Sequence, residues 1–526
     1  MSGTRLTLLF LLLAGSTATT TSVTQEVRAV IEEVRATGGL EVAGVRVPVP
    51  QPVVRVYDRA GYEPLWTSRE DVRELARFLA GLERDGLDPQ EYHPELISRD
   101  TALSAADRAR VDVLRTTALL RAAYHLRYGR VDSETREPNE SLGRPIGGDD
   151  APGALAALLP PHGGRVEWDA VRPANFVYAG LVEALAGLRS AAAQGGWPTI
   201  SDGPSLRAGM ADGRVPALHR RLELAGDLRT AVPYTTRFDA VLDSAVRRFQ
   251  HRHGLNPDGV VGPATRAELN VPVERRIDQV RLNLERARWI SPTLRDEFVA
   301  VNAAGALVYL VRGGHVVFEA RAIVGAQYTR TPIFTATMQT IELNPSWTVP
   351  PGIVGEILSA VRRDPDYLRK NDIRVIDSRG RTIPAAGIDF GRYTSSTFPW
   401  TFRQDPGADN PLGRIKFLFP NRYNVYLHDT PARYLFERER RTFSHGCIRV
   451  QDPLVLAELV LDDARWTAAT LRAAIETGST RTLALTEPLQ VLVLYWTASA
   501  DRHGELHFYR DVYDRDAALL AALDAA

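Results

Sequence analysis

Apolar residues recur with helical spacing through most of the first 290 residues. In the segment 69–84, Val72, Leu75 and Leu79 fall on one face, and Ser68 is a suitable N-cap. The same spacing predicts helices over 23–37, 104–128, 174–194 and 276–289, and a short segment over 89–97. The chain up to about residue 198 is therefore predicted to be all-α, with a Val/Pro-rich loop before residue 51.

The period of the pattern changes to two near residue 298. The runs 298–302, 306–311 and 316–324 are β-rich and are separated by turns such as Gly313-Gly314. Further strands are predicted over 338–343 and 415–419. Residues 352–404 interrupt them with a helix over 352–363, a strand over 373–376 and a Gly/Ser/Thr-rich loop.

The tail of the chain alternates between the two periods. The pattern predicts a helix over 453–463, strands over 481–485, 491–497 and 506–509, and a last helix over 515–525. It does not decide where these strands lie in the fold.

The N-terminus is typical of an export signal. Arg5 precedes an apolar run over 6–14, and small residues follow up to Ala18. The run is shorter than the roughly 20 residues that span a bilayer. We expect residues 1–18 to be a signal peptide and the mature protein to be exported and soluble; an uncleaved anchor is the alternative.

Composition and charge exclude some partners. Lys+Arg and Asp+Glu number 64 each, so the formal net charge is zero and nothing suggests nucleic acid or an anionic membrane surface. All of the basic residues are arginine except Lys370 and Lys416, which we interpret as coding bias.

Cys447 is the only cysteine, so it cannot form an intrachain disulfide. An exported chain that keeps one thiol either uses it or buries it. An ordinary thiol, with a pKa of about 8.5, is only a few per cent ionised at pH 7. His428 and His445 supply imidazoles that can take its proton, so Cys447 is the candidate nucleophile.

The segments around the thiol also resemble a family signature. They read His428-Asp429-Thr430-Pro431 and, further on, Ser444-His445-Gly446-Cys447-Ile448-Arg449-Val450. This combination is similar to the signature of L,D-transpeptidases with a YkuD-type catalytic domain, above all their large periplasmic branch. The resemblance implies a mainly-β catalytic domain, a periplasmic location, and a lid over the active site formed by residues 352–404.

A second resemblance lies between residues 238 and 265. The series is Phe249-Gln250, Gly254-Leu255, Asp258-Gly259, Gly262 and Thr265, and it is similar to a peptidoglycan-binding-type-1 domain. The resemblance implies a small three-helix module that either binds glycan or stem peptide or acts as a spacer. His251 and His253 form either a metal pair or, as we expect, part of an exposed turn.

The chain is thus predicted to be a multidomain α+β protein. Its parts are a helical scaffold domain (24–198), a three-helix peptidoglycan-binding-like domain (199–272), a mainly-β catalytic domain with an inserted lid (273–465, lid about 352–404) and a C-terminal extension (466–526).

The resemblance and the residue chemistry together assign roles around Cys447. His428 is the expected general base and His445 the competing one. Either the backbone carbonyl or the carboxylate of Asp429 orients the base. The amide N–H groups of Gly446 and Cys447 are the expected oxyanion hole.

Four further residues are expected to contact the substrate. Arg449 suits a substrate carboxylate, with a surface ion pair as the alternative. Tyr426 and Trp347 are candidate aromatic walls, with a core role as the alternative for each, and Ser444 is a further binding candidate.

The resemblance also implies the reaction. The thiolate attacks the diaminopimelate carbonyl of a tetrapeptide stem, D-alanine leaves, and a second diaminopimelate amine takes the acyl group to give a 3→3 cross-link. Such enzymes are typically acylated by carbapenems. No cofactor or metal is implied. The expected partners are stem peptides and glycan, and other cell-wall synthesis proteins are further candidates.

Several alternatives stay open at this point. The same acyl-enzyme can pass its acyl group to water, a D-amino acid or a lipoprotein. His428, His445 and Cys447 are also acceptable zinc ligands, which would suit a zinc hydrolase. A non-catalytic wall-binding protein is the last alternative.

Overall fold

The computed structural model describes residues 22–99, 104–132, 140–141, 171–229 and 234–525. The predicted signal peptide, residues 1–18, lies outside them. The chain divides into two compact units. The first takes residues 1–83, 88–124 and 146–169, and the second takes 84–87, 125–145 and 170–526.

The described part of the first unit is helical apart from one hairpin. Its elements are α1 (Val23–Thr37), β1 (Gly39–Val42), β2 (Val45–Pro48), α2 (Gln51–Arg59), α3 (Arg69–Ala80), α4 (Pro94–Ile97) and α5 (Ala105–Tyr128). α3 begins after the predicted cap, where Ser68 accepts N–H bonds from Glu70 and Asp71. It ends earlier than predicted, at a glycine, and continues as the 3-10 helix Gly81–Asp85.

The hairpin corrects the prediction of a Val/Pro loop. β1 and β2 pair antiparallel with Leu40 opposite Val47, and both side chains are buried. The turn uses Ala43 and Gly44, with φ values of 50° and 80°. Two successive positive φ angles match the twist of a two-residue hairpin. Asn-Gly is the usual sequence signal of such a turn. Because this turn has Ala-Gly instead, the sequence pattern did not indicate a hairpin.

The second unit begins its helical part with α6 (Phe176–Ala193), α7 (Val215–Leu224), α8 (Ala240–Arg252), α9 (Pro263–Leu269) and α10 (Val273–Ile290). Among the described helices, α6 alone is long and apolar enough to cross a membrane by length and composition. Its residues Tyr178, Leu181 and Leu185 pack with α10 in one apolar cluster.

α7, α8 and α9 form the predicted three-helix module, and its motif residues bind one another. The Gln250 side-chain amide donates to Asp258 Oδ1 (2.8 Å) and accepts the Gly259 N–H (2.8 Å). Gly259 has φ +77°, and a Cβ there would collide with Asp243. Glycine is therefore required at this turn, and the motif is explained by the fold of the module.

His251 and His253 do not form a metal pair. His253 is buried, stacks on Phe249 at 3.8 Å between ring centroids, and places Nδ1 2.7 Å from the Phe249 carbonyl. His251 is exposed, as expected of a turn. The expectation of an exposed turn therefore fails for His253, because the C-terminal end of α8 packs against the strand Leu506–Phe508, where the His253 ring lies 5.3 Å from the Phe508 ring.

The rest of the second unit is built on a large sheet. In chain order the elements are β3 (Glu140–Ser141), β4 (Glu297–Asn302), β5 (Leu307–Arg312), β6 (His315–Gly325), β7 (Ile333–Leu343), β8 (Trp347–Thr348), α11 (Pro351–Arg363), α12 (Tyr367–Lys370), β9 (Ile373–Ile376), β10 (Thr382–Ile383), β11 (Thr401–Gln404), β12 (Ile415–Leu418), β13 (Leu427–His428), β14 (Thr442–Ser444), β15 (Ile448–Val450), α13 (Pro453–Leu461), α14 (Ala468–Glu476), β16 (Arg481–Leu494), β17 (Ala498–Ala500), β18 (Leu506–Phe508) and α15 (Asp516–Asp524).

The large sheet closes on itself. Its strands follow the order β12-β13-β15-β6-β5-β4-β16-β7-β3, and β12 also pairs with β7. The alternating inward side chains of these strands make the main core of the unit. In this order β12, β13 and β15 are neighbours, and the signature residues lie on or beside β13 and β15.

The tail of the chain completes this sheet. β16 lies between β4, to which it is parallel, and β7, to which it is antiparallel. The two predicted strands 481–485 and 491–497 are one strand with an irregular register between Ala484 and Leu489. The interruption explains why the sequence pattern splits there.

The insertion has a core of its own. β8, β9, β10 and β11 form a four-stranded sheet in the order β10-β9-β11-β8. Its buried residues are joined by an aromatic group in which Phe398 stacks on Phe402 at 4.6 Å and meets Trp400 edge-on. The segment predicted as a Gly/Ser/Thr-rich loop is therefore partly ordered by its aromatic residues.

A buried ion pair on α10 yields a test of stability. Arg288 and Glu285 are each fully buried and lie 3.0 Å apart, and the guanidinium also bonds the Asp85 carbonyl. Removing one partner of a buried pair commonly costs about 3–5 kcal/mol, because it leaves the other charge uncompensated. Glu285→Ala should destabilise the second unit by this amount, measured by urea unfolding.

The matched control is Glu437→Ala, which breaks an exposed pair with Arg321 (2.9 Å). Exposed pairs contribute little, so this variant should unfold like the parent chain. Equal stability of Glu285→Ala and Glu437→Ala would contradict the role given to the buried pair.

Candidate active site

The site is built on two neighbouring parallel strands. β13 and β15 pair with Leu427 opposite Ile448 and His428 opposite Arg449. Leu427 and Ile448 are fully buried in the main core. Because side chains alternate along a strand, Tyr426, His428, Cys447 and Arg449 belong to the other face. All four line one cavity of about 1070 Å³.

A tight turn presents the thiol. Gly446 has φ +110°, a conformation that favours glycine. The Ser444 hydroxyl donates to the Cys447 carbonyl (2.5 Å) and accepts the Gly446 N–H (3.1 Å). Thr331 Oγ1 donates to the Gly446 carbonyl (2.9 Å). The turn is therefore held by its own hydroxyl and by the chain segment that follows β6.

These bonds change two sequence-based expectations. Ser444 lines the cavity but is only 3% exposed, and its hydroxyl is used within the turn, where it holds the loop. The Gly446 N–H is already engaged by Ser444, which removes it from the expected oxyanion hole in this conformation. The Cys447 N–H makes none of the hydrogen bonds found among the described residues.

The thiol of Cys447 is mostly buried. Its Sγ lies 3.9 Å from the Asn424 carbonyl. Burial raises the pKa of the thiol, and hydrogen bonds from Tyr426 and the positive charges of Lys416 and Arg449 oppose this rise. In the free protein Cys447 is accordingly a thiol at neutral pH.

His428 is 4% exposed, and its ring is fixed by the backbone. Nδ1 lies 2.5 Å from the Asp429 carbonyl. A carbonyl only accepts, so Nδ1 carries the proton and Nε2 is the basic nitrogen. A backbone hydrogen bond with Leu412 also acts on the ring and, like the bond to Asp429, favours its protonated form. Burial first, and then the charge of Arg449, lower the pKa of His428 to about 3, so the imidazole is neutral.

The structure separates the two candidate orienters of His428. The Asp429 carboxylate accepts the Arg414 N–H (2.8 Å) and pairs with Arg433 (3.0 Å). It therefore braces the loop before β12, while the Asp429 carbonyl holds the imidazole. Gly413 allows this approach, since a Cβ there would collide with the carboxylate.

His445 points to the insertion instead of the thiol. Its side chain is 45% exposed, and Nε2 lies 2.9 Å from Glu356 Oε1 on α11. The competing general base is thus paired with a carboxylate of the inserted segment. The geometry favours His428 as the base.

The predicted substrate contacts are placed around the cavity. Arg449 lies on the cavity face, and its Nε has no hydrogen bond within the described residues. The Tyr426 ring meets the His428 ring edge-on at 5.7 Å. Trp347 is 9% exposed and belongs both to the core of the insertion and to the cavity wall.

The three candidate zinc ligands do not converge. Across the described ranges, three ligand atoms come together only at Asp501, Glu505 and His507, which lie at the β17–β18 hairpin. There Asp501 Oδ1 already accepts two backbone N–H bonds, and Glu505 lies 3.6 Å from Arg229.

Two residues of the site were missed by the sequence analysis. Lys416 lines the cavity with its Nζ 4.1 Å from the centroid of the Tyr426 ring. Asn424, at φ +54°, turns its carbonyl toward Sγ. The scarcity of lysine is a usable signal for Lys416, which the interpretation as coding bias overlooks.

Comparison with known proteins matches three segments of the chain to known domains. Residues 296–476 match the model of the L,D-transpeptidase catalytic domain, YkuD. The chain contains an L,D-transpeptidase catalytic domain. Residues 51–185 match a "Scaffold domain", and residues 212–269 match a "Putative peptidoglycan binding domain".

A "Putative L,D-transpeptidase" of Haemophilus influenzae is 30% identical over 239 residues, which are 45% of this chain and 48% of that protein. The chain thus matches about half the length of this curated relative. Two solved L,D-transpeptidase structures are also similar. The structure from Stackebrandtia nassauensis is 13% identical with a TM-score of 0.22, and the match covers 56% of this chain and 96% of that one. The structure from Xylanimonas cellulosilytica is 16% identical with a TM-score of 0.16, and the match covers 56% of this chain and 98% of that one. At these TM-scores they bear on no detail of the site.

The raised pKa of the thiol in the L,D-transpeptidase domain predicts how Cys447 reacts with pH. Iodoacetamide traps the thiolate, so the rate should rise with pH through an inflection above the ordinary value of about 8.5. Intact-protein mass spectrometry measures the rate at this single cysteine, with free glutathione as the reference. An inflection near or below pH 7 would show a preformed thiolate and contradict the neutral pair.

Proposed function

We propose that the chain is a cell-wall L,D-transpeptidase in which Cys447 is the nucleophile and His428 the general base. The observation that carries the proposal is the register of β13 and β15, which places both side chains on one face and in one cavity. The domain match supplies the reaction class. The domain boundaries derived from the sequence are part of this proposal.

The first step is formation of an acyl-enzyme. Sγ attacks the carbonyl of the third stem residue, diaminopimelate, while its proton passes to Nε2 of His428. The C–N bond to D-alanine breaks, and the imidazolium returns the proton to the leaving amine. The free Cys447 N–H faces no competing acceptor and serves as an oxyanion donor.

The two reacting side chains have to tighten when substrate binds. Sγ contacts the Asn424 carbonyl at 3.9 Å, and no hydrogen bond joins it to the imidazole in the described structure. Catalytic hydrogen bonds of free enzymes are often long and shorten in the substrate complex. A neutral resting pair suits this, because neither a thiolate nor an imidazolium has to be held in the site before substrate arrives.

The second step is transfer to an acceptor. A diaminopimelate side-chain amine attacks the thioester, the C–S bond breaks, and a 3→3 cross-link forms. Arg449 is the proposed contact for a stem-peptide carboxylate, since its guanidinium is in the cavity with an unbonded Nε. Trp347 and Tyr426 form the aromatic walls.

The module of α7, α8 and α9 is proposed to bind peptidoglycan, in keeping with its family match. The spacer role is the alternative, because the motif residues are accounted for by contacts within the module. Export to the periplasm follows from the predicted signal and the substrate.

Acylation by a carbapenem tests the nucleophile. The chain should gain the mass of one drug molecule, and Cys447→Ala should gain none. His428→Ala should acylate about 10²–10⁴-fold more slowly, because general base catalysis typically contributes this factor. His445→Ala, the variant of the other histidine, should acylate at nearly the parental rate. A folded chain that forms no adduct would point to the wall-binding alternative.

The acceptor is tested with tetrapeptide muropeptides. Cross-linked dimers resolved by liquid chromatography and mass spectrometry, with a 3→3 bond on fragmentation, would support the transpeptidase. Tripeptides without dimers would mean that water is the acceptor, and exchange of D-alanine for an added D-amino acid would identify the exchange reaction.

A further inference from the structure

Lys416 is a chemical exception in this chain. It is one of two lysines among 64 basic residues, so a composition that uses arginine almost everywhere keeps an ammonium at this position. Lys370, the other lysine, is exposed on the insertion and pairs with Asp364 at 2.7 Å. A lysine carries a compact point charge, whereas arginine presents a planar fork, and the two are not equivalent in a confined site.

The sheet places Lys416 at the centre of the site. β12 pairs with β13 on one side, where Lys416 is opposite His428, and with β7 on the other, where it is opposite Glu342. Its neighbours Ile415 and Phe417 are buried in the main core. Alternation therefore sends the Lys416 side chain to the cavity face, together with His428 and Cys447.

The ammonium forms no ion pair within the described residues. Its Nζ lies over the Tyr426 ring, 4.1 Å from the centroid, and Tyr426 lines the same cavity as Cys447. A cation over an aromatic face is held by the ring without being neutralised by it. Its charge thus stays available to the cavity.

A thiolate in this cavity needs a positive charge near it. The His428 imidazole is buried and neutral, with a pKa lowered to about 3, so a standing imidazolium is disfavoured. Lys416 and Arg449 are the permanent cations that act on the thiol. Arg449 is also the group best shaped for a substrate carboxylate.

We propose that Lys416 is a positioning residue for the nucleophile: its ammonium, seated on the Tyr426 ring, stabilises the thiolate of Cys447 when the proton leaves Sγ for His428. This inference rests on the proposed function, because it takes Cys447 to be the nucleophile. Arg449 is thereby left for the substrate.

Other titratable and charged groups line the same cavity: Tyr423 and Tyr426, His428 at β13, His445 on the turn before Cys447, Arg449 on β15, Asp409, and Glu356, Arg363 and Tyr367 of the insertion. Glu342 on β7 acts on Lys416, and Tyr434 acts on Arg449. Glu342 favours the charged form of Lys416, while burial lowers the pKa of the ammonium. The variants below leave all of these groups in place.

The test compares Lys416→Met with Lys370→Met by the pH dependence of iodoacetamide alkylation. Loss of the charge should move the Cys447 inflection up by about one pH unit and slow alkylation at pH 7 about tenfold, because the thiolate fraction falls by that factor. Lys370→Met should keep the parental profile. Lys416→Arg should restore the profile in part.

A merely structural role would not move the inflection. Folding of Lys416→Met is checked by circular dichroism and thermal unfolding. If the variant folds and its Cys447 inflection stays at the parental pH, the proposal is overturned. If Lys416→Met does not fold, Lys416→Gln and Lys416→Arg are compared instead, and equal inflections for these two overturn it in the same way.

The two proposals can fail separately. A shifted inflection in a chain that never forms an acyl-enzyme with tetrapeptide stems would uphold the electrostatic role and reject the transpeptidase. Normal acylation by tetrapeptide stems with an unshifted inflection would uphold the transpeptidase and reject the electrostatic role of Lys416.

Discussion

The parallel pairing of β13 with β15 is the contact on which the site depends. It fixes Leu427 beside Ile448 in the core, and so fixes His428 and Cys447 on the opposite face. A slip of one residue in either strand would turn the reactive side chain of that strand into the apolar core and its buried neighbour into the cavity, and His428 and Cys447 would no longer share a face. The burial of these apolar residues therefore holds the chemistry in register.

The same burial decides the electrostatics of the site. A buried thiol and a buried imidazole both favour their neutral forms, and their pKa values move in opposite directions as a result. Opposing charges come from side chains on β12 and β15, Lys416 and Arg449. The sheet thus supplies both the low-polarity environment and the cations that counteract it, and the balance between them sets how easily the thiolate forms.

Local patterns in the sequence predicted much of this. Helical spacing placed α1, α5 and α6 to within about two residues, and the signature around Cys447 indicated the catalytic strands before any topology was known. The prediction of a loop around Ala43-Gly44 was wrong, because the hairpin turn there lacks the residues that usually signal one. The position of β16 could not be read because pairing between distant strands leaves no local trace.

The role of Lys416 was missed for the same reason. Nothing within ten residues of it points to a thiol, and only the pairing of β12 with β13 brings it beside His428. The expected oxyanion donor at Gly446 failed for a different reason, because the hydroxyl of Ser444 takes that N–H within the turn. Sequence reasoning thus identified residues that meet in one cavity, and was weaker for the bonds that hold them.

The two histidines of the signature show how one motif can serve two structural purposes. His428 is in the sheet, is closed off from water and is fixed by the Asp429 carbonyl, which suits a base that must stay neutral until substrate arrives. His445 is on the turn, half exposed, and bonds Glu356 of the insertion. Since Glu356 is on the insertion, which has its own apolar core, the residue two before Cys447 is bound to the wall of the cavity, whereas His428 is bound to the backbone of its own strand end.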